Sequence, residues 1–79
     1  MPSSNAAYQA LIDVVLDART EVGITQTALA NKLKRPQSFI GKIESGARNV
    51  DVIEFIEIAR ALKIDPTKLL SRVVQKTGL

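Results

Sequence analysis

Residues 25–46, TQTALANKLKRPQSFIGKIESG, contain two short amphipathic runs separated by a break, and their reading decides the fold. Thr25 suits a helix N-cap, because its hydroxyl can accept from a backbone amide of the first turn. Leu29, Ala30 and Leu33 follow as a short apolar face. At Lys34-Arg35-Pro36 the run breaks: a residue before proline is biased away from helix, and proline itself suits a first turn. A second helix then extends to about Ser45 and ends at Gly46, where glycine tolerates a left-handed backbone.

The second helix divides by angle. At ~100° per residue and with Gln37 at zero, Ser38, Gly41, Lys42 and Ser45 fall between roughly 40° and 140°. Phe39, Pro36, Ile43, Ile40 and Glu44 fall between roughly 200° and 340°. One face is small and polar with one lysine; the other is mostly apolar. Two short helices joined by a tight turn can place the second in a DNA major groove. Glutamine, serine and lysine carry the donors and acceptors that base edges require. Gly41 in mid-helix costs about 1 kcal/mol relative to alanine, and close approach to DNA is one reason to accept it.

Outward from this stretch the pattern stays helical. Ser4 or Asn5 can cap a first helix, along which Tyr8, Leu11, Ile12, Val15, Leu16 and Arg19 recur at helical spacing until Gly23. Asp13, Asp17 and Glu21 share one solvated face of it. Asp51 caps a fourth helix, with Glu54 where a capping box puts its acid. Val52, Phe55, Ile58, Ala59 and Leu62 form its expected core stripe. Asp65-Pro66 opens a fifth, with apolar Leu69, Leu70, Val73 and Val74. Five short helices in 79 residues make one all-α domain spanning 1–79.

Composition narrows the function. The chain has no histidine and no cysteine, which removes the commonest general base, thiolate metal sites and disulfides. With no paired-acid or phosphate-loop pattern either, no enzyme, no cofactor and no metal site is expected. Absence of cysteine suits a reducing, cytoplasmic setting, and no apolar stretch approaches the ~20 residues of a membrane span. The net charge is +3, yet between Lys32 and Arg48 five cations face one acid, Glu44. That is the footprint of a polyanion-binding face on a near-neutral body. With only one tyrosine, two phenylalanines and no tryptophan, single-strand binding by base stacking is disfavoured.

The run from Gln26 through Leu29-Ala30 and Gln37-Ser38-Phe39-Ile40-Gly41-Lys42-Ile43-Glu44-Ser45-Gly46 closely resembles the phage-repressor and Cro-like (Xre-type) helix-turn-helix family. Leu11 and Arg19 upstream and Phe55 through Leu62 downstream extend the likeness over about Tyr8 to Leu70. The resemblance implies a compact, five-helix, lambda-repressor-like DNA-binding domain, with the motif on helices 2 and 3. It implies base reading by Gln37, Ser38 and Lys42. It also implies phosphate contacts by Gln26 at the start of helix 2 and by Ser45, Arg48 and Asn49 after helix 3; Thr25 and Arg35 are further backbone candidates. Lys32 and Lys34 lie in the same basic stretch. Arg19 and Glu44 would form a structural ion pair. Two departures stand out: Pro36 replaces a residue that could cap helix 3, and Gly41 replaces a polar one.

Such proteins dimerise through the C-terminal part and read near-palindromic sites on double-stranded DNA. Here Ile53, Ile56, Val73 and Val74 are the candidates for a homodimer contact, with residues 65–79 as the region and Leu79 at its end. The implied function is a sequence-specific transcription regulator, acting as a repressor or autoregulator. Alternatives are an antitoxin-like protein, which binds DNA and also neutralises a partner toxin, and a helical interaction module without DNA binding.

Overall fold

The computed structural model describes residues 6–79, so the expected cap at Ser4 or Asn5 lies outside the described residues. Five helices follow one another: α1 (Ala6–Val22), α2 (Gln26–Lys32), α3 (Gln37–Ser45), α4 (Val52–Ala61) and α5 (Pro66–Thr77). No strand occurs among the described residues. α1 and α5 pack together on one side, α2 and α3 on the other, and α4 bridges α2 to α5.

Local chemistry sets the helix starts. Thr25 accepts from the Ala28 amide at 3.0 Å and Asp65 from the Thr67 amide at 2.9 Å, with Pro66 opening α5. Asp51 and Glu54 close a reciprocal capping box on α4. Each such cap contributes about 1 kcal/mol. Pro36 is the N-cap of α3 and sits just before its first turn; it offers no side-chain hydrogen bond. Each of the five helices ends in a left-handed residue. Gly23 (φ 88°), Gly46 (φ 84°) and Gly78 (φ 71°) stand one residue past α1, α3 and α5, and Lys34 (φ 58°) and Lys63 (φ 60°) two residues past α2 and α4. At Lys34 and Lys63 the next amide reaches back five residues to the helix carbonyl, from Arg35 to Ala30 and from Ile64 to Ala59, both at 2.9 Å.

The core is one cluster drawn from all five helices, with Val15, Leu29, Ile40, Ile43, Ile58 and Leu69 essentially inaccessible. Burying each such side chain stabilises the fold by about 1.5–3 kcal/mol. On α1 the small residues Ala10, Val14 and Ala18 are buried alongside Ile12 and Val15, while Leu11 and Leu16 are only half-buried. Val52 departs from its expected place in the stripe of α4: it is 74% exposed, at the border of an open groove rather than in the core. Val73 is also differently placed. It lies in the core, whereas its neighbour Val74 faces solvent. No helix among the described residues is long and apolar enough to cross a membrane.

Candidate nucleic-acid interface

A chain of polar side chains links α1, α2 and α3. Arg19 donates from Nε and Nη2 to the two oxygens of Glu44, at 2.7 and 3.0 Å, and from Nη1 to the Ile24 carbonyl at 2.8 Å. Glu44 Oε1 also accepts from Gln26 Nε2 at 2.8 Å. Gln26 Oε1 in turn accepts from Gln37 Nε2 at 2.6 Å. The ion pair is well shielded, with the Arg19 and Glu44 side chains 12% and 5% exposed. The Glu44 hydrogen bonds hold the Arg19 guanidinium above its ordinary pKa, so it stays charged. A lone acid in a basic surface is thus neutralised, and its remaining acceptor capacity fixes Gln26.

Gln37, Ser38 and Lys42 all lie exposed on α3. Gly41 sits among them, but the space above it is already filled. A Cβ there would lie 3.1 Å from Gln37 Nε2 and 3.4 Å from Gln26 Oε1. The glycine makes room for the Gln26–Gln37 hydrogen bond, a role that angle counting along one helix could not reveal. The candidates for backbone contact separate into two groups. Thr25 and Ser45 are exposed with side chains bonded only to nearby backbone, Asn49 is exposed with its carbonyl accepting from the Arg48 guanidinium at 3.0 Å, and Gln26 belongs to the polar chain.

Arg35 and Arg48 form the second group, turned toward the protein. Arg48 makes a two-pronged bond to Glu54, 2.9 Å on each arm, and Arg35 approaches the same carboxylate at 3.7 Å. Both guanidinium carbons lie over the Phe39 ring, 4.3 Å from its centroid for Arg35 and 4.6 Å for Arg48. Phe39 itself is buried. The Arg48 hydrogen bonds, aided by the Asp51 amide, hold the Glu54 carboxyl down at about 2. Glu54 is therefore more than a cap: it anchors two cations and the loop after α3. Tyr8 anchors the same loop from α1. Its hydroxyl accepts from the Val50 amide at 3.0 Å and points its proton toward the Arg48 carbonyl at 3.5 Å. Neither role was legible in sequence, where Glu54 signalled only a capping box and Tyr8 only a helix position.

A second surface is apolar. Leu11, Val50, Val52, Phe55, Ile56 and Leu70 border a groove of about 310 Å³ between α1, α4 and α5. Leu70 in its lining is 51% exposed, and Ile53 and Val74, the chain neighbours of lining Val52 and Val73, are 64% and 53% exposed. Val73 reaches this groove only from the core side.

A turn-linked helix pair with an exposed polar arc on its second member, braced from behind, defines a helix-turn-helix DNA-binding protein. Comparison with known proteins fixes the family. A helix-turn-helix family model matches residues 15–69. An XRE-family-like protein from Pseudomonas syringae pv. tomato is 50% identical, covering 91% of this chain and 88% of its own, with a TM-score of 0.85. The restriction–modification controller protein C.AhdI from Aeromonas hydrophila is 31% identical over 82% of this chain and 94% of its own, with a TM-score of 0.74. A mutant of the controller protein C.Esp1396I shares the fold at 23% identity, covering 89% of this chain and 93% of its own, with a TM-score of 0.83. No curated protein matches the sequence. The chain belongs to the XRE-family helix-turn-helix proteins and is a DNA-binding transcription regulator of that all-α family.

Proposed function

We propose that the chain is a homodimeric, sequence-specific repressor or autoregulator that reads a near-palindromic operator with α3. The observation that carries this reading is the Arg19–Glu44–Gln26–Gln37 chain, because it leaves Gln37 oriented rather than free. A glutamine amide has two N–H donors and an acceptor oxygen. Gln26 takes one donor, and the other, with Oε1, matches the N7 and N6 edge of adenine. Lys42 supplies a charge for guanine acceptors or a phosphate, and Ser38 a short adaptable hydroxyl. Thr25, Gln26, Ser45 and Asn49 hold the register through phosphates. Arg35 and Arg48 contribute positive field near the duplex while staying bonded to Glu54.

Two copies meet through the apolar groove and its exposed rim of Ile53, Ile56, Leu70 and Val74. Paired recognition helices would then sit about 34 Å apart, one turn of the duplex. C.AhdI, 31% identical, is a restriction–modification controller protein, which supports a regulatory role. Selection of bound duplexes from a random pool tests the reading. The expected product is a two-fold symmetric site whose half-sites each lose preference at one or two base pairs in the Gln37→Ala variant. Recovery of unrelated sequences, or of a site unchanged by both Gln37→Ala and Lys42→Ala, removes α3 as the reading element.

A further inference from the structure

Lys34 and Lys63 end α2 and α4 in the same left-handed turn, at φ 58° and 60°. Glycine takes that position without strain, as Gly46 does after α3, whereas a lysine adopts it at a cost. Both lysines open onto one shallow hollow of about 520 Å³, joined there by Lys32 and Arg60. Its floor is apolar, made by Leu33, Ile56 and Ala61. All four cations are exposed, and none forms an ion pair among the described residues. The single acid on the rim, Glu57, lies 4.0 Å from Arg35.

The hollow lies at the C-terminal ends of α2 and α4, opposite the ends that meet the reading arc and the loop after α3. α2 begins at Gln26 beside the reading arc, and Lys32 is six residues, about 9 Å, further along its axis. α4 begins beside the loop after α3, and its far end at Lys63 is roughly 18 Å on. Helix C-termini favour nearby cations, which explains a lysine in either last turn. That preference does not require the strained position, nor does it bring two such lysines to one apolar floor.

We propose that this hollow docks an acidic, amphipathic segment of a second protein. Apolar side chains of the partner settle on Leu33 and Ala61, beside the Ile56 that the proposed pairing of two copies uses, and its carboxylates meet the four cations. The charge complementarity selects an acidic partner, and the apolar floor selects a protein segment over bare phosphate. Only the placement of the duplex at the opposite helix ends rests on the DNA-binding reading above.

The test uses the isotope-labelled full chain and two synthetic probes: a helical peptide with leucines on one face and glutamates on the other, and poly-glutamate of equal charge. The helical peptide is expected to shift the amides of residues 32–34 and 57–63 and to bind at least about tenfold more tightly than poly-glutamate. The double variant Lys34→Gly/Lys63→Gly keeps or raises its Tm, because glycine fits both turns, yet loses about tenfold in peptide affinity. The single variant Lys63→Gly, outside the basic stretch of the motif, keeps the parent's duplex affinity and salt dependence. Equal binding of both probes overturns the proposal. So does a loss of about one unit of salt slope on duplex DNA in Lys63→Gly, which would make phosphates the occupant. A lower Tm with unchanged peptide affinity reduces the lysines to helix-end caps. Amides 32–34, which lie off the proposed pairing of two copies, moving with protein concentration alone would make a second copy of this chain the occupant and also overturn it. If the parent binds no duplex, the DNA reading fails while the peptide result stands by itself.

Discussion

Gln37 donates to Gln26 at 2.6 Å, joining the first residues of α2 and α3 across the turn between them. Residue 41, one helical turn along α3, has no side chain, and a Cβ there would press on the Gln37 amide at 3.1 Å. Gly41→Ala separates stability from reading. The helix gains about 1 kcal/mol in intrinsic propensity, and the crowded neighbour is the far end of a flexible side chain. Tm should hold or rise by a few degrees while operator preference falls by about 1–3 kcal/mol, the worth of one bidentate base contact. A double-mutant cycle checks the cause: in a Gln37→Ala background, Gly41→Ala should cost almost nothing more in binding.

Behind that pair, Arg19 and Glu44 are bonded twice and shielded from water. Removing one member leaves the other charged and poorly solvated. Arg19→Ala should lower stability by about 3–5 kcal/mol, a large share of what a small domain possesses. Urea unfolding should show a lower midpoint with little change in slope. A loss under 1 kcal/mol would mean that solvent or Gln26 replaces the arginine.

The helices were legible because their signals are local. Thr25, the Asp51–Glu54 box and Asp65-Pro66 each act on amides within their own first turn. Angles placed Phe39, Ile40 and Ile43 toward the core because a helix buries a face. Val52 broke the pattern because periodicity gives direction, not depth of burial. The exposed polar arc of α3 was legible, because one helix presents Gln37, Ser38 and Lys42. The setting of Arg35 and Arg48 was not legible. As a string of residues they read as free cations for phosphate, but α4 brings Glu54 to them, and that meeting depends on tertiary packing. The same holds for Gly41, whose neighbours include a side chain from another helix.

Glu54 makes stability pH-dependent in a definite direction. Its carboxyl titrates near 2 in the folded protein against an ordinary 4.5. The unfolded chain therefore takes up the proton first as pH falls. The stabilisation is complete above about pH 4.5 and declines progressively toward pH 2. Chemical denaturation across that window should show the midpoint dropping with acidity. In Glu54→Gln the decline should be shallower, and the midpoint at neutral pH lower, because Arg48 and Arg35 lose their anion.

Ile53 and Leu70 test the proposed pairing of two copies. Both are more than half exposed in the single chain, so a polar replacement removes little from the core. Ile53→Glu and Leu70→Glu should each leave helical content and Tm near those of a folded monomer. In an isologous interface each substitution appears twice and places like charges close together across the two-fold axis. Sedimentation should shift from dimer to monomer. Operator affinity should fall by far more than the loss of one contact, because the second half-site no longer binds from a tethered, high effective concentration. Affinity for a single half-site should stay unchanged, since α3 and its Gln26–Gln37 brace lie elsewhere. If both variants remain dimeric, the apolar groove is not where the copies meet.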